Sequence, residues 1–163
     1  MKKLISFLIA AVLFTTTACA AGNKVVSTGS TTDNTKGVLP VKLNIQIDNG
    51  ASKHTLTATL YDNSSSRALV ELIQKAPVTI DMHDFSNFEK VGDLPVTLPR
   101  NDTPTNTDAG DLILYLGKRF VIYYDKNSWA FTPLGKVDGV TKAELKKILG
   151  EGNVTAVLTC SEQ

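Results

Sequence analysis

The sequence predicts a mainly β domain that closes into a barrel of about eight strands, with two short α-helices at its ends. Three observations carry this expectation. The chain reads as about seven or eight short strands, several with the two-residue period of a half-buried strand. Only two stretches carry a helical period. A sheet of that size with so little helix hides its edges most simply by closing on itself.

The 163-residue chain is 42% hydrophobic and 20% charged, which is ordinary globular composition and enough for one domain. Its first residues do not belong to that domain. Met1-Lys2-Lys3 is a basic head, residues 4–14 are an apolar run, and small residues follow at 15–20. This is the layout of an export signal, and the apolar run is too short for a permanent membrane span. Thr16-Thr17-Ala18-Cys19 resembles the lipobox of bacterial lipoproteins, with Thr16 where Leu is usual. On that reading residues 1–19 are the signal and Cys19 carries the lipid anchor, which places the protein on the cell membrane or outer membrane. The competing reading is an ordinary cut after Ala18-Cys19-Ala20, which leaves a soluble periplasmic or secreted protein.

Either cut leaves Cys160 without an internal disulfide partner, so stability must come from the core. Losing Lys2 and Lys3 leaves 15 basic against 16 acidic residues, a formal charge of −1 instead of +1. A near-neutral chain without a basic cluster argues against nucleic-acid binding. Residues 20–37, rich in Ser, Thr, Gly and Asn, read as a flexible tether. As a coil it would hold the domain roughly 20–25 Å from its attachment point.

The domain is expected at 38–163. Val41, Leu43, Ile45 and Ile47 alternate with Lys42, Asn44 and Gln46 in a first strand. Asp48-Asn49-Gly50 is a turn signal, and Leu56, Ala58 and Leu60 alternate with threonines in the strand that returns. Asn63 and the serines after it are N-cap candidates for a helix whose apolar face is Ala68, Leu69, Leu72 and Ile73. Pro77 bars its continuation, and Val78, Ile80 and Met82 restart the two-residue rhythm with Asp81 and His83 on the other side. Residues 85–95 have no clean period and read as a loop. Residues 100–108 are the most polar internal stretch and read as surface.

Residues 112–116 and 120–124 are apolar on both faces, which places this hairpin centrally, with Gly117-Lys118 as a two-residue turn. Thr141-Lys142-Ala143-Glu144 is a capping box that opens the second helix, and Gly150 is its natural stop. Val154, Ala156, Leu158 and Cys160 share one face of the last strand, which reads Cys160 as a buried small hydrophobe.

The segments ATLYDNSSSRALVELI, EKVGDLP and DAGDLILYLGKRFVIYYDKNSWAFTPLGKV, in this order within residues 57–137, resemble the bacterial cyclophilin-like domain family. The resemblance covers nearly the whole domain and implies a closed cyclophilin-like β-barrel. In its light Gly110-Asp111 is a turn device: the glycine takes a backbone shape closed to other residues, and the carboxylate accepts turn amides. Isomerase activity does not come with the resemblance. Cyclophilins that rotate prolyl bonds carry a Phe-His-Arg motif with Gln-Gly-Gly beyond it. Its arginine meets the proline amide as it passes a barrier of about 20 kcal/mol. This sequence has only Arg67, Arg100 and Arg119, none in that setting.

Other chemistry has little support. Asp81, His83, Asp84 and Glu89 are the nearest approach to a metal-ligand cluster, and a solvated strand edge is the simpler reading, so no metal is assigned. No phosphate loop or dinucleotide fingerprint is present, and no cofactor is assigned. Trp129 and Phe131 alternate in a segment otherwise polar. They can cover the barrel wall, or flank a groove for an extended peptide or a small apolar ligand, with Phe85, Glu89 and Arg100 at its edge.

Three functions follow. The first is an envelope-tethered, non-catalytic module that binds a peptide or small apolar ligand. The second is a divergent peptidyl-prolyl isomerase using Arg100 or Arg119. The third is partnership with a separate flavodoxin-like protein, which the resemblance suggests. The first is the reading the sequence favours.

Overall fold

The structure, a computed structural model, describes residues 37–162. The expected signal at 1–19, its Cys19, and all but the last residue of the tether lie outside the described residues. The described elements run β1 (Val38–Asp48), β2 (Lys53–Tyr61), α1 (Ser64–Lys75), β3 (Val78–Phe85), β4 (Glu89–Asp93), β5 (Thr103–Asn106), β6 (Asp111–Tyr115), β7 (Arg119–Tyr123), β8 (Ser128–Val137), α2 (Lys142–Leu149) and β9 (Val154–Glu162).

Neighbouring strands follow the order β2-β1-β9-β3-β4-β7-β6-β8, and β8 pairs back onto β2. All these pairings are antiparallel. The result is a closed eight-stranded barrel, the mainly β fold expected from the periodicity. The ninth strand, β5, lies outside the ring on the first half of β8, pairing Thr105 with Trp129. Closure needs β8 to pass very close to β2. A Cβ on Gly135 would stand 2.3 Å from the Thr59 carbonyl oxygen, so only glycine fits there.

Alternation sorts the side chains into two clusters. Phe120 and Ile122 of β7 join Leu112, Leu114, Ile45, Ile80 and Leu158 in the main core, and Leu69 and Ile73 of α1 and Leu145 and Leu149 of α2 add to it. Val121 and Tyr123 of the same strand belong instead to a second cluster with Val91, Ile113 and Phe131. That cluster is the outer face of β4, β7, β6 and β8. The two-sided apolar runs of the sequence thus face the core on the inside and, with Val91 and Phe131, make up this satellite on the outside.

Both helices are capped as their residues dictate. Asn63 accepts the Ser66 N–H, and its own amide donates to the Pro133 carbonyl at 2.9 Å, which ties α1 to β8. Thr141 and Glu144 form the reciprocal capping box of α2.

Four expectations need correction. Residues 89–93 are a strand, not a loop: its first four residues are buried, so no alternation shows in the letters. Lys90 is among them, and Gly92 is where Asp81 and Ile80 approach too closely for a Cβ. Part of the polar stretch 100–108 pairs as β5, exposed as expected but not irregular. The β6–β7 turn centres on Leu116 and Gly117, both at positive φ, one residue earlier than expected. The cause is docking: Leu98 N–H bonds the Gly117 carbonyl at 2.7 Å and Leu94 N–H the Lys118 carbonyl at 2.8 Å. Cys160 is half-buried against the core, not fully enclosed.

Candidate functional site

A groove of about 360 Å³ crosses the outer wall of the barrel over five adjacent strands. Its residues recur two apart because outward positions alternate along a strand. His83 and Phe85 come from β3, Glu89 and Val91 from β4, Tyr115 from β6, and Arg119, Val121 and Tyr123 from β7. Trp129 and Phe131 come from the first half of β8, and Phe88 and Asn127 from connections.

The rings form a continuous apolar surface. Phe85 meets Phe88 edge-on at 5.7 Å, and Phe88 stacks on Tyr123 at 6.1 Å. Phe131 lies 5.7 Å from Tyr123 and 6.1 Å from Tyr115. Phe131 is buried in this surface, whereas Trp129 stands 65% exposed at the rim. A tight turn sets the first two rings. Ser86 and Asn87 both take positive φ, and Phe88 N–H returns to the Phe85 carbonyl at 3.2 Å. The Asp84 carboxylate accepts the Asn87 N–H at 3.1 Å and steadies the turn.

Glu89 sits on the groove between Phe85 and Tyr123 of the neighbouring strands. It is 9% exposed, and burial pushes its carboxyl above the ordinary range; the Tyr123 hydroxyl and the charge of His83 oppose that rise. Tyr123 is in turn held protonated, raised by burial and by its hydrogen bond to Glu89. Its hydroxyl also accepts the Asn127 side-chain amide at 3.3 Å.

The outward position of Glu89 is fixed from inside the barrel. Lys90, one residue on, points inward and is fully buried. Its Nζ reaches Asp84 Oδ1 at 2.8 Å, the Gly150 carbonyl at 3.1 Å and the Gly152 carbonyl at 2.6 Å. Tyr124 also donates to Asp84. Burial works to raise the Asp84 pKa, but the hydrogen bonds from Lys90, Tyr124 and Asn87 outweigh it and hold the carboxyl below the ordinary range. The Lys90 ammonium thus pins β4 to β3 and to the loop after α2, and so sets which residues of β4 face outward.

Of the five residues expected to line a groove, Phe85, Glu89, Trp129 and Phe131 share this one. Arg100 does not line it: it is paired with Asp102, near the β6–β7 turn. Tyr115, Val121 and Tyr123 also wall the groove, beyond the residues expected from the sequence. Their signal was present in the two-sided apolar hairpin, whose outward residues need a cover that no helix supplies.

A family model described as the cyclophilin-like family matches residues 45–159. The chain belongs to the cyclophilin-like family. No curated protein matches it. Within this cyclophilin-like domain the three arginines separate clearly. Arg67 pairs with Asp62 at 2.6 Å on α1, Arg100 pairs with Asp102, and Arg119 alone of the three lines the groove, its Nε 3.6 Å from Asp93.

Asp111 serves the turn before β6. Its Oδ2 accepts the Asp108 N–H at 2.8 Å, its Oδ1 meets Lys136 at 2.8 Å, and Gly110 beside it takes φ +91°. Among the described residues no three His, Cys, Asp or Glu side chains converge as a metal cluster would need.

Proposed function

We propose that this cyclophilin-like domain is a binding module whose outer-wall groove takes a peptide or a small apolar ligand. The observation that carries the reading is the groove itself: a concave apolar surface of six aromatic residues beside a few polar groups, the composition of a ligand site. No helix or strand of the described residues covers it. The missing Phe-His-Arg and Gln-Gly-Gly residues favour binding over catalysis.

A second reading, a divergent prolyl isomerase, has one observation in its favour, the Arg119 guanidinium at the groove. Two assays separate them. Trp129 is the only tryptophan of the chain and stands at the rim, so its fluorescence reports occupancy directly. A panel of short hydrophobic peptides is expected to change that signal saturably, while a proline-peptide isomerase assay shows no turnover. Turnover abolished by Arg119→Ala would establish the enzyme instead.

For the address, the reading is a protein tethered to the envelope through an acylated Cys19, or released if the signal is cut after Ala20. Fractionation of cells carrying the wild type and Cys19→Ser decides this. The wild type is expected with membranes and the variant in the soluble fraction, and a soluble wild type rules out the lipid anchor. A separate flavodoxin-like protein remains the partner suggested by the family resemblance. Co-purification of the two from one cell supports that partnership, and their independent elution counts against it.

A further inference from the structure

The groove holds one unsatisfied group. Glu89 Oε2 is buried and makes no hydrogen bond among the described residues. An ionised carboxylate in that position has given up water for ring faces, a cost offset only when a partner arrives or a proton binds. The titratable groups that face it are His83 from β3, Tyr115 from β6, and Arg119 and Tyr123 from β7. None of them donates to Oε2. Arg119, the fixed cation among them, is drawn toward Asp93 at the other end of its strand pair.

The walls point to the same chemistry. Tyr123, Phe131, Tyr115 and Trp129 present aromatic rings to the groove, and ring faces attract cations, most strongly where water is excluded. An acid and several rings around one cavity favour an organic cation over a metal ion. A hard divalent metal requires several oxygen ligands, and the groove offers one carboxylate.

We propose that the ligand is a protonated amine on an apolar body, with an N–H directed to Glu89 Oε2 and its carbon frame against the rings of Tyr123, Phe131 and Trp129. This rests on the groove being a ligand site, and it names the class of ligand. The N–H is essential to it. A quaternary ammonium satisfies the rings but has nothing to donate to the orphaned oxygen. A neutral ligand of equal shape satisfies neither.

The test is an amide-resolved NMR titration of the full chain at neutral pH with three probes of related shape: benzylamine, benzyltrimethylammonium and benzyl alcohol. Benzylamine is expected to bind about tenfold tighter than benzyl alcohol, with the quaternary cation between them. Glu89→Gln keeps the shape of the side chain and should bring benzylamine within about twofold of the alcohol. Trp129→Ala removes an exposed ring, leaves the fold intact, and should weaken all three probes while benzylamine stays first. Equal binding of benzylamine and benzyl alcohol, or an amine preference that survives Glu89→Gln, overturns the amine assignment and leaves the groove reading standing. Benzyltrimethylammonium equal to benzylamine overturns the hydrogen bond to Oε2. If no probe moves any groove amide, the ligand-site reading falls as well.

Discussion

Replacing Lys90 by Met tests how the groove is held in shape. The substitution keeps the buried stem and removes three charge-assisted hydrogen bonds, to Asp84 and to the carbonyls of Gly150 and Gly152. Breaking a buried ion pair from one side costs about 3–5 kcal/mol, because the partner is left uncompensated. Here Asp84 is one-fifth exposed and keeps Tyr124 and the Asn87 N–H, which moves the expectation to the lower end, about 3 kcal/mol. Against a total stability of roughly 5–15 kcal/mol this is a large fraction. Urea unfolding followed by circular dichroism should show the midpoint falling by roughly 1–3 M at a typical slope. The sign with pH is also fixed. The folded Asp84 pKa is depressed, so this stabilisation is present above the ordinary carboxylate value and is lost as pH falls through the folded one. The gap between wild type and variant should therefore narrow in acid. A midpoint within about 0.3 M of wild type at neutral pH would refute the clamp, and with it the reason given for the outward register of Glu89.

Other outcomes follow from the same geometry. Glu89→Gln should stabilise the domain at neutral pH by about 1–2 kcal/mol, since it removes a buried charge with an unpartnered oxygen. The folded pKa of Glu89 is raised, so its contribution is favourable below the ordinary value and is lost as pH rises through the folded one. Thermal melts of the pair should thus converge in acid and separate toward neutral pH; a less stable variant at neutral pH contradicts the burial argument. Gly135→Ala forces a Cβ against the Thr59 carbonyl at the barrel closure and should cost about 2–3 kcal/mol, a Tm loss of roughly 10 °C. Asp111→Ala removes the acceptor for Asp108 N–H and the partner of Lys136, at a cost of about 1–2 kcal/mol in urea unfolding with the groove's ligand response unchanged.

Legibility of the fold followed the regularity of each segment. β1 and β2 alternate cleanly on either side of a turn signal at 48–50, and the capping box of α2 is spelled out in four residues. β4 is not legible because Glu89, Lys90 and Gly92 look like loop letters. Each is buried for a different reason: a carboxylate under rings, an ammonium inside the barrel, and a glycine where two strands touch. β5 is not legible because a strand lying outside the ring has no buried face to leave a period. The site was half legible. Trp129 and Phe131 stood out as large rings in a polar segment, and Phe85 and Glu89 as neighbours of irregular chain. Tyr115 and Tyr123 were hidden in runs that read as core on both sides. Arg100 looks equally eligible from sequence, yet it stands beside Gly117, paired with Asp102, and does not line the groove. What the letters lack is the strand order, which alone brings β3, β4, β6, β7 and β8 side by side.

Mapping the amide shifts caused by a bound hydrophobic peptide tests the groove most directly. The shifts should gather at outward positions of β4, β7 and the first half of β8, with Glu89, Tyr123, Trp129 and Phe131 among the largest. Shifts centred instead on the polar depression lined by Asp48, Asp81 and Thr155, or inside the barrel, would place ligand recognition elsewhere on the molecule.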